Sequence, residues 1–142
     1  MSNADSGPKA RLLVAEDEFL VALDLQTTLE EHGYEVCGLA ATARDAVDLA
    51  TQHRPNLALV DVNLARGSNG LEAVAKLKSD LGIPAIVVTG HGTAHDAKSA
   101  GALGCLTKPF DPVSLLPLIE SVLAWSAGNG IACPAPAGFL KP

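Results

Sequence analysis

An α/β fold built on an open, doubly wound parallel sheet is what this sequence predicts, and three observations predict it. Runs such as Leu12-Leu13-Val14-Ala15, Leu57-Ala58-Leu59-Val60 and Ala85-Ile86-Val87-Val88 are apolar at every position. A strand that reads this way, without alternation, is buried on both faces. The segments between the runs carry helical spacing and helix punctuation. Strand and helix alternate five times, the pattern of a layered sheet with helices on both sides.

The elements follow in order. Residues 1–10 are polar and read as a flexible lead; the folded domain spans 11–125; residues 126–142, rich in Gly and Pro, read as a tail or linker. Arg11 to Glu16 is the first strand. A helix over 18–32 follows, with Val21, Leu25, Thr28 and Leu29 on one face and Gly33 as its stop. Tyr34 to Leu39 is a strand with loose alternation. Thr42 caps a helix running through His53, with Ala43, Ala46, Val47 and Ala50 inward. Leu57 to Asp61 is the third strand. A loop over 63–69 leads to a helix marked by Leu71, Val74, Leu77 and Leu81, closed by Gly82 and Pro84. Ala85 to Thr89, a short helix over 93–100, and Leu103 to Thr107 come next. Asp111-Pro112 opens a last helix that ends near Trp125, and Pro117 requires it to kink or start late. Trp125 is expected to pack that helix; Phe19 and Phe110 are expected in the core.

Composition excludes several classes of function. The chain has 142 residues, 48% hydrophobic and 18% charged, which excludes disorder as its main state. A net charge of -6 with no basic stripe argues against nucleic acid as a direct partner. No apolar run is long enough to span a membrane. The N-terminus lacks the apolar stretch of a secretory signal. The three cysteines, Cys37, Cys105 and Cys133, have neither disulfide-frame nor zinc spacing, so a cytoplasmic, reducing setting is expected.

The chemistry collects at the carboxyl ends of the strands, where open α/β sheets bind ligands. The first strand delivers Glu16, Asp17 and Glu18, the third Asp61, the fourth Thr89, and the fifth Lys108 with Pro109. Taken singly, each has a plain structural explanation: acids at strand ends cap helices, and a lysine before proline is a solvated loop residue. Together they do not. Two like charges about 4 Å apart cost about 4 kcal/mol at an effective dielectric near 20, so a rim of acids needs a cation or shared protons. An all-oxygen set suits a hard ion such as Mg2+. A metal, an ammonium and a hydroxyl around a carboxylate suit a phosphoryl group.

The segments L-L-V-A-E-D-E, N-L-A-L-V-D-V-N-L, I-V-V-T-G and G-C-L-T-K-P-F resemble, in that order, the receiver domains of two-component response regulators, the CheY-like fold. The resemblance covers residues 11 to 125. It implies a flavodoxin-like sheet of order 2-1-3-4-5, Asp61 as phosphoacceptor, and Mg2+ held by Glu16, Asp17, Asp61 and the backbone carbonyl of Asn63. It implies that Thr89 and Lys108 contact the phosphoryl group and that the Lys108-Pro109 peptide is cis. It also implies a histidine kinase or histidine phosphotransferase as donor, a downstream protein partner on the face made by the fourth helix, fifth strand and fifth helix, and slow self-dephosphorylation rather than enzymatic turnover. Asn63 and His91 stand where the family tunes that rate.

Three features depart from the family pattern. Cys105 replaces the usual aromatic switch residue, which puts coupling to the output face in doubt. The stretch from Thr89 to Lys108 is short, so the fourth helix must be short. The loop after Asp61 is about one residue longer to Gly70, with Ala65 in place of the common proline. His91 and His95 are spaced i, i+4, but a structural zinc site wants four ligands and no others are evident. Rival functions are a receiver fragment of a larger hybrid kinase or regulator, a non-phosphorylated pseudo-receiver, a flavodoxin and an aspartyl phosphatase. The flavodoxin reading fails on the acids after the first strand and on a chain with only one Trp, one Tyr and three Phe. The phosphatase reading lacks a second acid two residues past Asp61, where Asn63 stands.

Overall fold

Among the described residues five strands and five helices alternate: β1 (Arg11–Ala15), α1 (Phe19–Glu31), β2 (Glu35–Ala40), α2 (Ala43–His53), β3 (Leu57–Asp61), α3 (Gly70–Leu81), β4 (Ala85–Thr89), α4 (Ala94–Ala100), β5 (Gly104–Thr107) and α5 (Leu115–Ser126). The computed structural model describes residues 7–90, 94–128 and 136–140. All four strand pairings are parallel, in the order β2-β1-β3-β4-β5. This is the expected sheet.

The continuous apolar runs are explained by helices on both faces. Leu12 and Val14 of β1 point into a core shared with Ala22, Leu25 and Leu29 of α1 and Leu118 and Ile119 of α5. Leu13 and Ala15 point the other way, onto Ala46 and Ala50 of α2 and Val74 and Leu77 of α3. Every residue of β3 and β4 is buried. The looser alternation of β2 has a local cause. Its register against β1 slips between Leu12, opposite Val36, and Leu13, opposite Gly38, leaving Cys37 as the extra residue.

Local chemistry sets the helix ends. Thr42 Oγ1 accepts from the Asp45 N–H at 3.1 Å, Asn69 Oδ1 from the Leu71 N–H at 2.8 Å, and Asp111 Oδ1 from the Val113 N–H at 3.0 Å. A 3-10 turn over Pro112–Ser114 precedes α5, so Pro117 falls in the first turn of α5, where its missing N–H is not needed. The late start, rather than a kink, is how the chain accommodates it. Helix α4 is short, as the spacing required.

Some expectations are corrected. In α1 the buried face is Ala22, Leu25 and Leu29, with Val21 only partly covered. Phe19 is 66% exposed, not core, and Leu20 beside it is exposed too. The first buried residue of α1 is Ala22, the fourth of the helix. The stretch after Ser126 is not wholly a tail: residues 136–140 return to the sheet. The Cys105 N–H donates to the Gly138 carbonyl at 2.8 Å and the Leu140 N–H to the Leu103 carbonyl at 2.9 Å, placing Phe139 opposite Gly104 in an antiparallel bridge. Among the described residues no helix is long and apolar enough to cross a membrane.

Candidate functional site

At the carboxyl ends of β1, β3 and β5 the ladder itself aims the functional side chains. The Glu16 N–H donates to the Ala40 carbonyl at 2.8 Å, which continues the β1–β2 ladder by one residue past β1. Glu16 is thereby buried at 6% exposure, while Asp17 and Glu18 turn outward. Asp61 is the last residue of β3 and is 5% exposed. The Val62 N–H then donates to the Val88 carbonyl at 3.1 Å, which holds the turn that follows. One oxygen atom from each of Glu16, Asp17 and Asp61 lies within 4.8 Å of the others.

Lys108 joins them from the far side. Its N–H donates to the Thr89 carbonyl at 2.8 Å, anchoring it beside the end of β4. Its side chain reaches across to Asp61 Oδ2 at 2.6 Å and Glu16 Oε1 at 3.0 Å. The remaining oxygens are also used. Asp61 Oδ1 accepts from the Asn63 N–H at 3.0 Å, and Glu16 Oε2 from the Glu18 N–H at 3.1 Å. The Lys108-Pro109 peptide is cis.

Burial pushes Glu16 above the ordinary glutamate range, and the neighbouring Asp61 charge adds to this, although its hydrogen bonds from Glu18 and Lys108 pull it back. For Lys108, burial pulls downward, but hydrogen bonds to Asp61 and Glu16 more than offset it and leave the amine above its ordinary value. Three carboxylates and one ammonium leave a formal charge of -2 at the rim (three negative, one positive). An all-oxygen donor set carrying that residual charge fits a hard divalent cation.

Thus Glu16, Asp17, Asp61 and Lys108 come together as the sequence expects. Thr89 is buried at the neighbouring strand end. Asn63 sits at the mouth through its backbone N–H, with its side chain exposed. His91 lies outside the described residues, so the i, i+4 pair with His95 does too. Cys105 is away from the site, half-buried on β5 and packed toward the α3–α4 side of the sheet, where burial pushes its thiol up. Beside Lys108 and Pro109 an apolar groove of about 680 Å³ runs between the start of α1 and the β5–α5 turn, lined by Leu20, Val21, Phe110 and Pro112 among others.

Sequence reasoning placed Gly70 only as the end of the loop after Asp61 and missed its packing constraint. Its N–H donates to the Val62 carbonyl at 2.7 Å, and a Cβ on it would collide with the Asp61 carbonyl oxygen. It lets α3 begin hard against the end of β3. A glycine directly after the Asn69 cap, where helices rarely want one, was the available signal.

Residues 12–120 match the response regulator receiver domain family. The chain belongs to that family. Transcriptional regulatory protein PdtaR of Mycobacterium tuberculosis is 38% identical over 122 residues, covering 84% of this chain but 59% of its own length. Protein PilH of Pseudomonas aeruginosa is 37% identical over 81% of this chain and 98% of its own. Sporulation initiation phosphotransferase F of Bacillus subtilis is 30% identical over 71% of this chain and 83% of its own. The receiver therefore spans about six-tenths of PdtaR, and less than half of the regulator PhyR of Methylorubrum extorquens. Among solved structures, the CheY-like receiver protein of Methanospirillum hungatei superposes with a TM-score of 0.75 at 31% identity, covering 84% of this chain and 98% of that one. The signal receiver domain of a modulated diguanylate cyclase from Desulfovibrio desulfuricans gives 0.76 at 31%, over 83% and 96%. Receiver domains of two-component systems work with kinases or phosphotransferases.

Proposed function

We propose that this receiver takes a phosphoryl group onto Asp61 from the phosphohistidine of a histidine kinase or histidine phosphotransferase. The carrying observation is the single ammonium of Lys108 bridging buried Asp61 and Glu16, with Asp17 alongside. Asp61 is held by the Asn63 N–H and Lys108 in one orientation before any donor arrives. A carboxylate oxygen attacks phosphorus; the O–P bond forms as the P–N bond breaks, and the electron pair leaves with the imidazole. Lys108 stays beside the transferred group and offsets its charge. Thr89, at the neighbouring strand end, offers its hydroxyl to a phosphoryl oxygen. Glu16, Asp17, Asp61 and the Asn63 carbonyl would hold Mg2+, which supplies neutralisation of the phosphoryl oxygens when bound. Asn63 cannot ionise, so it supplies no general base for hydrolysis, and the acyl phosphate turns over slowly. The signal then leaves as a population shift toward a partner-binding state of the α4–β5–α5 face.

The test is intact-mass measurement with acetyl phosphate and Mg2+. The chain is expected to gain one phosphoryl group that hydroxylamine removes, and Asp61→Asn to gain none. Equal gain in Asp61→Asn, or no gain in either, would sink the proposal. A companion measurement isolates the metal. Asp17→Ala removes an exposed carboxylate with little structural role, so calorimetric Mg2+ affinity and phosphorylation rate are expected to fall together. Unchanged affinity would make Asp17 a bystander.

A further inference from the structure

Residues 136–140 close the open edge of β5, and the fit is specific. Phe139 stands opposite Gly104 in the bridge flanked by the two backbone hydrogen bonds, the arrangement in which facing residues approach most closely. Gly104 offers no side chain; a Cβ there would press on Ile86 and Leu118 at 3.1 Å. An aromatic residue across from a strand glycine covers the gap it leaves. The Phe139 ring packs with the α1–α5 core and meets Trp125 edge-on, 6.1 Å between centroids at 69°. Leu140 goes to the opposite side, into the core that Cys105 also touches. The segment thus alternates across the sheet edge as a strand does. Gly138 makes the close approach possible: its φ is +90°, and a Cβ would stand 2.7 Å from the Cys105 carbonyl oxygen.

We infer that the β5 edge is a strand-addition site which the chain fills with its own residues 136–140, so that an extended apolar peptide from a partner must displace this segment to pair there. Unpaired edges are templates for added strands, and an edge covered in cis is protected from them. The edge lies between α4 and α5 and includes Cys105, so the covered surface coincides with the face assigned to output. Occupancy of this edge rests on the backbone pairing and on the packing of Phe139 and Leu140, and requires no phosphoryl transfer.

The test uses the full chain. Amide hydrogen exchange is expected to show the Cys105 amide protected in the wild type. Gly138→Val, and more mildly Phe139→Ala, are expected to speed its exchange by about tenfold or more while the Ile86 and Val87 amides keep their protection. Trp125, the chain's single tryptophan, should change its fluorescence in both variants. A synthetic peptide of residues 136–142 is then expected to restore Cys105 protection in Gly138→Val and to leave the wild type unchanged. An unprotected Cys105 amide in the wild type, or equal exchange in all three proteins, overturns the closed edge. Failure of the peptide to restore protection overturns strand addition, whatever the phosphorylation experiments give.

Discussion

Lys108→Ala is expected to cost about 3 kcal/mol of stability at neutral pH, the lower end for removing one partner of a buried ion pair, and at the same time to tighten Mg2+ binding. The first effect arises because Glu16 and Asp61 would be left buried without their counter-charge. The second arises because the rim goes from a formal charge of -2 to -3, and an ammonium no longer competes with the metal for the same oxygens. Phosphorylation by acetyl phosphate is expected to slow by about 10²- to 10³-fold, the usual effect of deleting one preorganised donor. Calorimetry showing weaker or unchanged Mg2+ affinity would mean that Lys108 does not act as the tethered counter-ion of the pocket.

The pH dependence sharpens this prediction. In the wild type the Lys108 amine is raised, so its stabilising share, which needs ionised carboxylate partners, holds at neutral pH and is lost only as pH climbs through the raised lysine value. Glu16 is also raised, and for an acid the sign reverses: the folded state holds the proton longer, so stability falls as pH rises above the ordinary glutamate range. Removing Lys108 pushes Glu16 further in that direction. Urea melts in the presence of chelator should therefore show wild type and variant converging in acid and separating toward neutrality. A gap that stays constant from acid to neutral pH would reduce the role of Lys108 to packing.

Legibility in the sequence followed the range of the interaction. The runs of β3 and β4 were readable because burial on both faces writes itself into consecutive residues. Thr42, Asn69 and Asp111 hold local hydrogen bonds, so local spacing reveals the helix starts, although only Thr42 and Asp111 were read as caps. The acids and Lys108 were readable because topology alone brings strand ends to one rim. What escaped depends on remote partners. Val21 and Ala22 differ by one step of helical phase, which the core decides. Phe139 lies in a Gly- and Pro-rich stretch whose composition indicates a linker, yet its partner Gly104 waits on β5. Gly70 looks like a turn residue, while its constraint is a carbonyl on the preceding strand.

That constraint carries the second large effect. Within a helix, replacing glycine with alanine ordinarily stabilises by about 0.5–1 kcal/mol. Gly70→Ala should do the reverse and destabilise by about 3 kcal/mol, at the upper end for overpacking a tight site. The new Cβ collides with the Asp61 carbonyl oxygen and stands 2.9 Å from both the Asp61 carbonyl carbon and Val60 Cγ1, so α3 must retreat from β3 or β3 must bend. Either movement displaces Asp61 relative to the Lys108 amine, whose contacts of 2.6 Å to Asp61 and 3.0 Å to Glu16 leave little slack. Thermal melting should fall by roughly 10 °C, and acetyl phosphate should label the variant more slowly even well below its melting point. Gly82→Ala is the control. Gly82 has φ +67° but nothing within 4 Å of a new Cβ, so it should lose only about 1 kcal/mol to backbone strain and keep the wild-type labelling rate. If Gly70→Ala behaved like Gly82→Ala, close packing of α3 against β3 would not be what positions Asp61.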